Sequence, residues 1–168
     1  GMTLTSLTGI LRDRLESGFD SSYAGYPSIA GPVIHEVRDF DDVSQELRLT
    51  SAADQPLRFI AGLYYYKGDV NTVSREQINT ATGASMPDSR GRDKVENYAI
   101  FGSIEYDFAA RWTAGVELRW AEDEVTVTAT PAPNAPPPTT PLCNSTLCND
   151  TFRSLTPRFT LTWQTTDN

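Results

Sequence analysis

The fold is decided by residues 98–120, which read YAIFGSIEYDFAARWTAGVELRW. Two alternating runs flank a short connection at residues 108–111. One face of the first run carries Tyr98, Ile100, Gly102, Ile104 and Tyr106. The matching face of the second run carries Trp112, Ala114, Val116, Leu118 and Trp120. Alternation with a period of two is typical of β-strands, and two such runs joined by a tight connection predict a hairpin.

The same pattern extends outward in both directions. Residues 44–51 and 57–67 alternate around a turn at residues 52–56, and the stretch around Phe159, Leu161 and Trp163 alternates as well, whereas the alternation near the start is poor. We therefore expect strands near residues 3–11, 43–51, 57–67, 96–107, 111–128 and 152–165. Long polar loops are expected at residues 12–42, 68–95 and 129–151. The predicted fold class is all-β, an antiparallel up-and-down meander of about six strands.

Short and long connections alternate along the chain, which is the layout of a bacterial outer-membrane barrel. The row opposite the apolar one suits a polar lumen, because it carries Glu46, Arg48, Arg58, Glu105, Glu117 and Arg119. Aromatic residues gather near the strand ends, as interfacial girdles do. They are Tyr64, Tyr65 and Tyr66 toward the long loops, and Tyr106, Phe108, Trp112 and Trp163 toward the short turns.

A second interpretation remains open, in which the chain is a small soluble or secreted β-barrel or sandwich domain that binds a ligand or surface partner. Alternation does not separate the two, because a half-buried sheet has the same pattern. They differ in what one set of apolar residues contacts, either lipid or a protein core. That set is Ala61, Leu63, Ile100, Ile104, Val116, Leu118, Phe159 and Leu161.

The composition and the absence of known motifs exclude several classes of function. Asp and Glu number 22 against 14 Lys and Arg, so a nucleic-acid partner is not expected. The sequence shows no nucleophile motif, phosphate loop or complete metal-ligand set, so we predict no enzyme, cofactor or metal. Glu105 and Glu117 could be imagined as a glycosidase pair on neighbouring strands. In a barrel wall they are ordinary lumen residues, and we favour that interpretation. Acidic clusters at residues 39–42 and 122–124 match no defined calcium loop and suit a solvated surface.

Cys143 and Cys148 are the chain's two cysteines, and they lie in a Pro-rich stretch. In an oxidising compartment they could close a small disulfide loop, with two free thiols as the alternative. A zinc site would lack ligands, because His35 is the single histidine and is distant in sequence. We expect the disulfide.

Several segments together resemble the barrel of TonB-dependent receptors: SQELRLTS at residues 44–51, FIAGLYYY at 59–66, YAIFGSIEY at 98–106, TAGVELRW at 113–120 and LTPRF at 155–159. The resemblance spans nearly the whole chain. It implies the bacterial outer membrane, and active transport of an iron–siderophore complex or a similarly scarce substrate. It also implies four partners, namely the lipid bilayer, lipopolysaccharide, the receptor's own plug domain and TonB. Neither a plug nor a coupling motif is recognisable here, so the sequence predicts a barrel fragment that does not transport alone.

Basic and aromatic side chains of the polar row are candidate lumen contacts for an anionic ligand, because Arg guanidinium groups suit carboxylates and chelates. Pairing with glutamates across the barrel wall explains the arginines with fewer assumptions and is the favoured interpretation. The candidates are Arg48, Arg58, Tyr64, Tyr66, Arg119 and Arg158.

Overall fold

The computed structural model describes residues 1–20, 33–77, 89–130 and 147–165. Within these ranges the chain forms six strands, β1 (Thr3–Asp20), β2 (Val33–Thr50), β3 (Leu57–Gln77), β4 (Ser89–Ala109), β5 (Trp112–Thr130) and β6 (Leu147–Trp163). They form one antiparallel sheet in the order β1-β2-β3-β4-β5-β6. This order confirms the predicted all-β, up-and-down meander. The described residues form no helix long and apolar enough to cross a membrane.

The sheet is not closed. Among the described residues, β1 pairs with β2 alone and β6 with β5 alone, so both outer strands are edges. An exposed edge presents unpaired backbone groups, and a barrel removes them by closing on itself. An open sheet of six long sequential strands is therefore the geometry of an arc of a larger barrel.

Two connections lie within the described residues, and both are short. Residues 51–56 join β2 to β3, where the Ser51 amide donates to the Phe59 carbonyl and the Phe59 amide donates to Ser51 Oγ, both at 2.9 Å. Residues 110–111 join β4 to β5, next to a register irregularity between Asp107 and Ala109. Both turns lie at the same end of the sheet, called here the short-turn edge. The remaining connections fall outside the described residues.

The strands extend further than the sequence predicted at the opposite edge. The expected loops at residues 12–42, 68–95 and 129–151 were too long, because β1 continues to Asp20, β2 starts at Val33, β3 ends at Gln77, β4 starts at Ser89, β5 ends at Thr130 and β6 starts at Leu147. In these extensions polar residues occupy both faces of the sheet, so hydrophobic alternation disappears while backbone pairing continues. A pattern-based prediction therefore ended the strands where the apolar row ended.

The register separates two faces. Leu49, Ala61, Gly102, Leu118 and Pro157 lie side by side in one row, and the neighbouring row on the same face carries Leu47, Leu63, Ile100, Trp120 and Leu155. This side is called here the banded face. The other side, the polar face, carries rows such as Arg48, Gly62, Phe101, Arg119 and Thr156.

The described residues do not form a hydrophobic core. Ala99 and Ala121 are the buried apolar residues among them, and both lie on the polar face. On the banded face Leu63 is 55% exposed, Ile104 56% and Phe159 75%. The soluble interpretation required these side chains to pack together, and within the described ranges they do not.

Candidate functional site

The banded face carries an apolar band with aromatic borders. At the short-turn edge Trp112 stacks on Trp163, with ring centroids 5.9 Å apart and planes 17° apart, and Phe108 stacks on Trp112 at 6.4 Å. At the other border Tyr65 packs against Tyr98 at 5.1 Å. Aromatic pairs of this kind mark the interfaces of membrane barrels, where an apolar ring with a polar tip meets both media.

The height of the band fits a bilayer. Tyr98 and Tyr106 lie on β4 at its two borders, and the nine positions from one to the other match the roughly 9–11 residues of a tilted membrane-crossing strand. One part of the expected girdle was wrong. Tyr65 lies on the banded face, but Tyr64 and Tyr66 lie on the polar face, because consecutive residues of a strand point to opposite sides.

Beyond Tyr65 and Tyr98 the banded face changes from apolar to charged, and this region is called here the charged collar. Four pairs of directly opposed residues on neighbouring strands carry opposite charges. The ion pairs are Arg12–Asp41 at 3.3 Å, Arg14–Asp39 at 3.8 Å, Lys67–Glu96 at 2.7 Å and Arg153–Glu122 at 2.6 Å. Such pairs hold polar strands in register, although each exposed pair adds little stability.

One collar pair is diagonal rather than directly opposed. Arg92 Nε donates to both carboxylate oxygens of Asp69, at 2.8 and 3.1 Å, and its Nη2 contacts Oδ2 as well. Hydrogen bonding from Arg92 holds the pKa of the Asp69 carboxyl below its ordinary value. The carboxylate therefore stays charged at any pH near neutrality.

The polar face gathers all six predicted contact residues, Arg48, Arg58, Tyr64, Tyr66, Arg119 and Arg158. Its centre is an arginine–aromatic cluster, defined here as Arg48, Tyr64, Phe101 and Arg119. The Arg119 guanidinium lies over the Tyr64 ring, 5.7 Å from its centroid. Arginine over an aromatic face is attracted by the ring quadrupole, so this contact fixes the guanidinium near the middle of the sheet.

Gly62 makes room for the cluster. The Phe101 ring lies directly over Gly62, and a Cβ built there would overlap the ring. Gly62 and Arg119 are the two directly opposed cross-strand neighbours of Phe101. The sequence analysis did not predict Phe101 as a member of the site. The feature that could have indicated it is Gly62, which becomes its cross-strand neighbour once the register is known.

Arg48 forms an ion pair with Glu46 but keeps one nitrogen without a hydrogen-bond partner. Its Nη2 lies 2.5 Å from Glu46 Oε1, but the contact is not aligned as a hydrogen bond. Arg48 Nε and Glu46 Oε1 are both buried and have no hydrogen-bond partner within the described ranges. A buried polar atom without a partner is costly, so this part of the polar face favours a further polar group arriving from outside the sheet.

Arg58 has a structural role at the short-turn edge. Its Nη1 and Nη2 donate to the two oxygens of Asp107 at 2.5 and 2.8 Å, and its Nη1 donates to the Gln55 carbonyl at 3.1 Å. Thr113 Oγ1 donates to the same Asp107 carboxylate at 2.6 Å. The bidentate pair ties the β2–β3 turn to the β4–β5 turn and leaves little of Arg58 for a ligand.

The two other predicted contacts are also paired. Arg158 Nε lies 3.0 Å from Glu117, its directly opposed residue, and the Tyr66 hydroxyl hydrogen-bonds to Asp42. Glu105 lies 3.4 Å from Arg58. Both glutamates of the imagined glycosidase pair are thus members of ion pairs in the wall.

The two acidic clusters are divided between the faces. Asp39 and Asp41 lie on the banded face and Asp42 on the polar face. In the second cluster Glu122 and Glu124 lie on the banded face and Asp123 on the polar face. Asp123 accepts a hydrogen bond from Asn97 at 2.6 Å. In the part of the chain that the structure describes, no group of three or more His, Cys, Asp or Glu could hold a metal ion.

The structure describes only one of the two cysteines in the predicted disulfide. Cys148 lies at the start of β6 and is disulfide-bonded. Cys143 falls outside the described residues, so its pairing with Cys148 stays a prediction.

Comparison with known proteins identifies a family and a similar solved structure. Residues 5–168 match the family described as TonB dependent receptor-like, β-barrel. Among solved structures, the ferric yersiniabactin uptake receptor FyuA from Yersinia pestis matches with a TM-score of 0.70 and 14% identity, over 99% of this chain. The chain spans 24% of the length of that receptor, and at this identity the match shows the fold alone. A search of curated proteins finds no match.

Proposed function

Because the chain belongs to the TonB-dependent receptor-like β-barrel family, we propose that it forms an arc of the wall of an active-transport receptor in the bacterial outer membrane. The transported substrate is an iron–siderophore complex or a similarly scarce small molecule. The banded face contacts lipid and lipopolysaccharide, and the polar face lines the lumen. The arc does not transport on its own, and works with a plug domain and with TonB.

The observation that carries the proposal is the opposite chemistry of the two faces. An exposed apolar band with stacked aromatic borders lies on one side, and an arginine–aromatic cluster lies on the other. Apolar exposure of this extent is unfavourable in water and favourable in a bilayer. A lumen, in contrast, holds charged side chains in contact with water.

Within the lumen we propose that the arginine–aromatic cluster contacts the ligand. Arg119 is held over Tyr64 and is not engaged in an ion pair within the described residues, and Arg48 has a buried nitrogen without a partner. Cationic, planar groups of this kind suit the carboxylates and chelating oxygens of a siderophore. Arg58 and Arg158 are held in ion pairs and therefore contribute less.

The test is uptake and binding by the complete receptor that carries these strands, using a panel of ferric siderophores. For whichever complex is bound, Arg119→Ala should weaken binding about tenfold, as expected for the loss of one charge-assisted contact. Tyr64→Phe keeps the ring and should change binding less than twofold.

The matched control is Arg153→Ala, because Arg153 lies on the banded face and pairs with Glu122. It should leave binding unchanged. A receptor that takes up no iron complex would refute the iron–siderophore substrate. Equal losses in Arg119→Ala and Arg153→Ala would refute the assignment of the lumen face.

A further inference from the structure

Strand β1 carries apolar side chains on the polar face of the sheet. Leu7, Leu11 and Leu15 lie there, directly opposite residues of β2 that share the same face. Each of the three leucine side chains is about half exposed. They are called here the leucine stripe. The stripe explains why alternation is poor near the start of the sequence, because β1 has apolar residues on both of its faces.

The polar side chains next to the leucine stripe are held by partners of their own. The residues directly opposite the leucines on β2 are charged, and each contacts another residue of the polar face. These contacts are Glu46–Arg48, Asp42–Tyr66 and Arg38–Glu36. On β1 itself Gly9 lies between the first two leucines. Asp13 lies between the second and the third, and its carboxylate accepts a hydrogen bond from the Arg14 amide at 2.8 Å. The described part of the sheet therefore leaves the leucines uncovered.

The outer end of the stripe lies beyond the membrane-facing band. On β1 the apolar band ends at Ile10, and the charged collar begins at Arg12, the partner of Asp41. Leu11 and Leu15 are therefore level with the collar but face the other way. They lie toward the edge of the long connections, which is the extracellular side of a bacterial barrel. A molecule that enters the lumen from outside meets this part of the wall first.

The inner end of the stripe adjoins the arginine–aromatic cluster. Leu7 lies directly opposite Glu46, and Glu46 pairs with Arg48 of that cluster. The stripe and the cluster are therefore continuous on one face of the sheet.

The shape of the stripe indicates what it fits. Leu15 is eight residues beyond Leu7, which is about 26 Å along an extended strand. The stripe is one strand wide except at its outer end, where Phe40 and Val70 adjoin it. A surface this long and narrow suits a linear apolar chain better than a fused ring system.

We propose that the leucine stripe binds a fatty acyl chain carried by the transported substrate, while the arginine–aromatic cluster contacts the iron-chelating part. The inference rests on the proposed function, because it requires the polar face to line the lumen. Membrane lipid is not the occupant, since the stripe and the apolar band lie on opposite faces. A chain that covers the leucines removes apolar surface of both partners from water. The substrate class is then an amphiphilic ferric siderophore.

The complete receptor provides the test, through its binding of ferric siderophores in matched pairs. The two members of a pair share one chelating group, either a trihydroxamate or a tris-catecholate, and differ in a dodecanoyl chain on a terminal amine. For a chelating group that is bound, the acylated member should bind the unmodified receptor about tenfold more tightly, as expected for burial of roughly two methylene groups. The double substitution Leu11→Gln with Leu15→Gln should reduce this advantage to about twofold. It should leave the affinity for the non-acylated member unchanged.

The matched control is Val127→Gln. Val127 is an exposed apolar residue of the same polar face, in the same cross-strand row as Asp13. It lies on β5, four strand spacings or about 19 Å from β1. The control should keep the full advantage of the acylated member. Partition of the acyl chain into the bilayer is the same for every variant and cancels in the comparison.

The outcomes separate this inference from the function on which it rests. Equal affinity of the unmodified receptor for both members of a pair would overturn the inference and leave the transport receptor standing. An advantage that survives the double substitution, or is lost equally in Val127→Gln, would overturn the leucine stripe as the site.

Equal weakening of both members by the double substitution would also overturn the inference, because the leucines would then contact the plug domain rather than an acyl chain. If neither pair binds, the inference fails, and uptake of any other ferric siderophore would leave the transport receptor standing.

Discussion

The apolar band and the charged collar are neighbouring regions of the same face, on the same strands, with the same backbone pairing. In the band Leu63 lies opposite Ile100, and in the collar Lys67 lies opposite Glu96, four residues further along β3. The backbone ladder continues across the border without a break. The difference shows that backbone pairing of the strands does not require hydrophobic side chains. The type of side chain on the banded face instead matches the medium that surrounds each part of the strand.

The largest expected effect comes from placing a charge in the band. Ala61 lies opposite Gly102, midway between Tyr98 and Tyr106. Ala61→Arg should destabilise the folded receptor in lipid vesicles by about 2–4 kcal/mol, since a cation near the bilayer midplane loses its hydration. The matched variant Asn71→Arg changes the same face of the same strand within the collar, and should cost about 0–1 kcal/mol. Denaturant titration in vesicles, followed by tryptophan fluorescence, measures both. Equal losses would mean that the band and the collar meet the same medium.

A smaller effect is expected at the border of the band. Trp112→Ala removes two ring contacts, with Trp163 and Phe108, and should cost about 1–3 kcal/mol by the usual strength of aromatic pairs. Trp120→Ala is the control, because Trp120 lies on the same strand and face without a ring partner among the described residues. In the same denaturant titration, Trp112→Ala should lower the free energy of unfolding more than Trp120→Ala does. The reverse order would argue against a stacked border at the short-turn edge.

The smallest effect is expected in the collar, through pH. Because the folded pKa of Asp69 lies below its unfolded value, its contact with Arg92 stabilises the fold above the unfolded pKa, about 4, and the contribution is lost as the pH falls through the folded value. Asp69→Asn should lower stability slightly at pH 7 and make no difference at the acid end of the range. A stability difference that stays constant with pH would mean that the pair is not ionic.

Much of the fold was predictable from the sequence, because period-two alternation identifies strands wherever the two faces meet different media. The six strands, their order and the membership of each face follow from runs such as residues 98–106. The outer ends of the strands did not follow. Asp39 and Asp41 were interpreted as part of a solvated acidic cluster where a loop meets a strand, but they lie within β2, opposite Arg14 and Arg12. Cross-strand charge pairs are visible only once the register is known.

The candidate site was predictable in composition but not in arrangement. The alternation predicted which arginines and tyrosines belong to the polar row. It did not predict that Arg119 contacts Tyr64 or that Arg58 pairs with Asp107, because each contact joins residues far apart in sequence. A shift of one residue in the register would move every side chain to the other face, so such contacts depend on the whole ladder.

Every strand of the described sheet contacts only the strands before and after it in the sequence. In such an arrangement the free energy is close to a sum of terms for single strands and for adjacent pairs, as in linear repeat proteins. A defect in one hairpin then weakens its two neighbours and few others. The hairpin is therefore the unit in which such a wall can change during evolution. One hairpin can be gained by duplication or lost by deletion while the remaining strands keep their pairing partners.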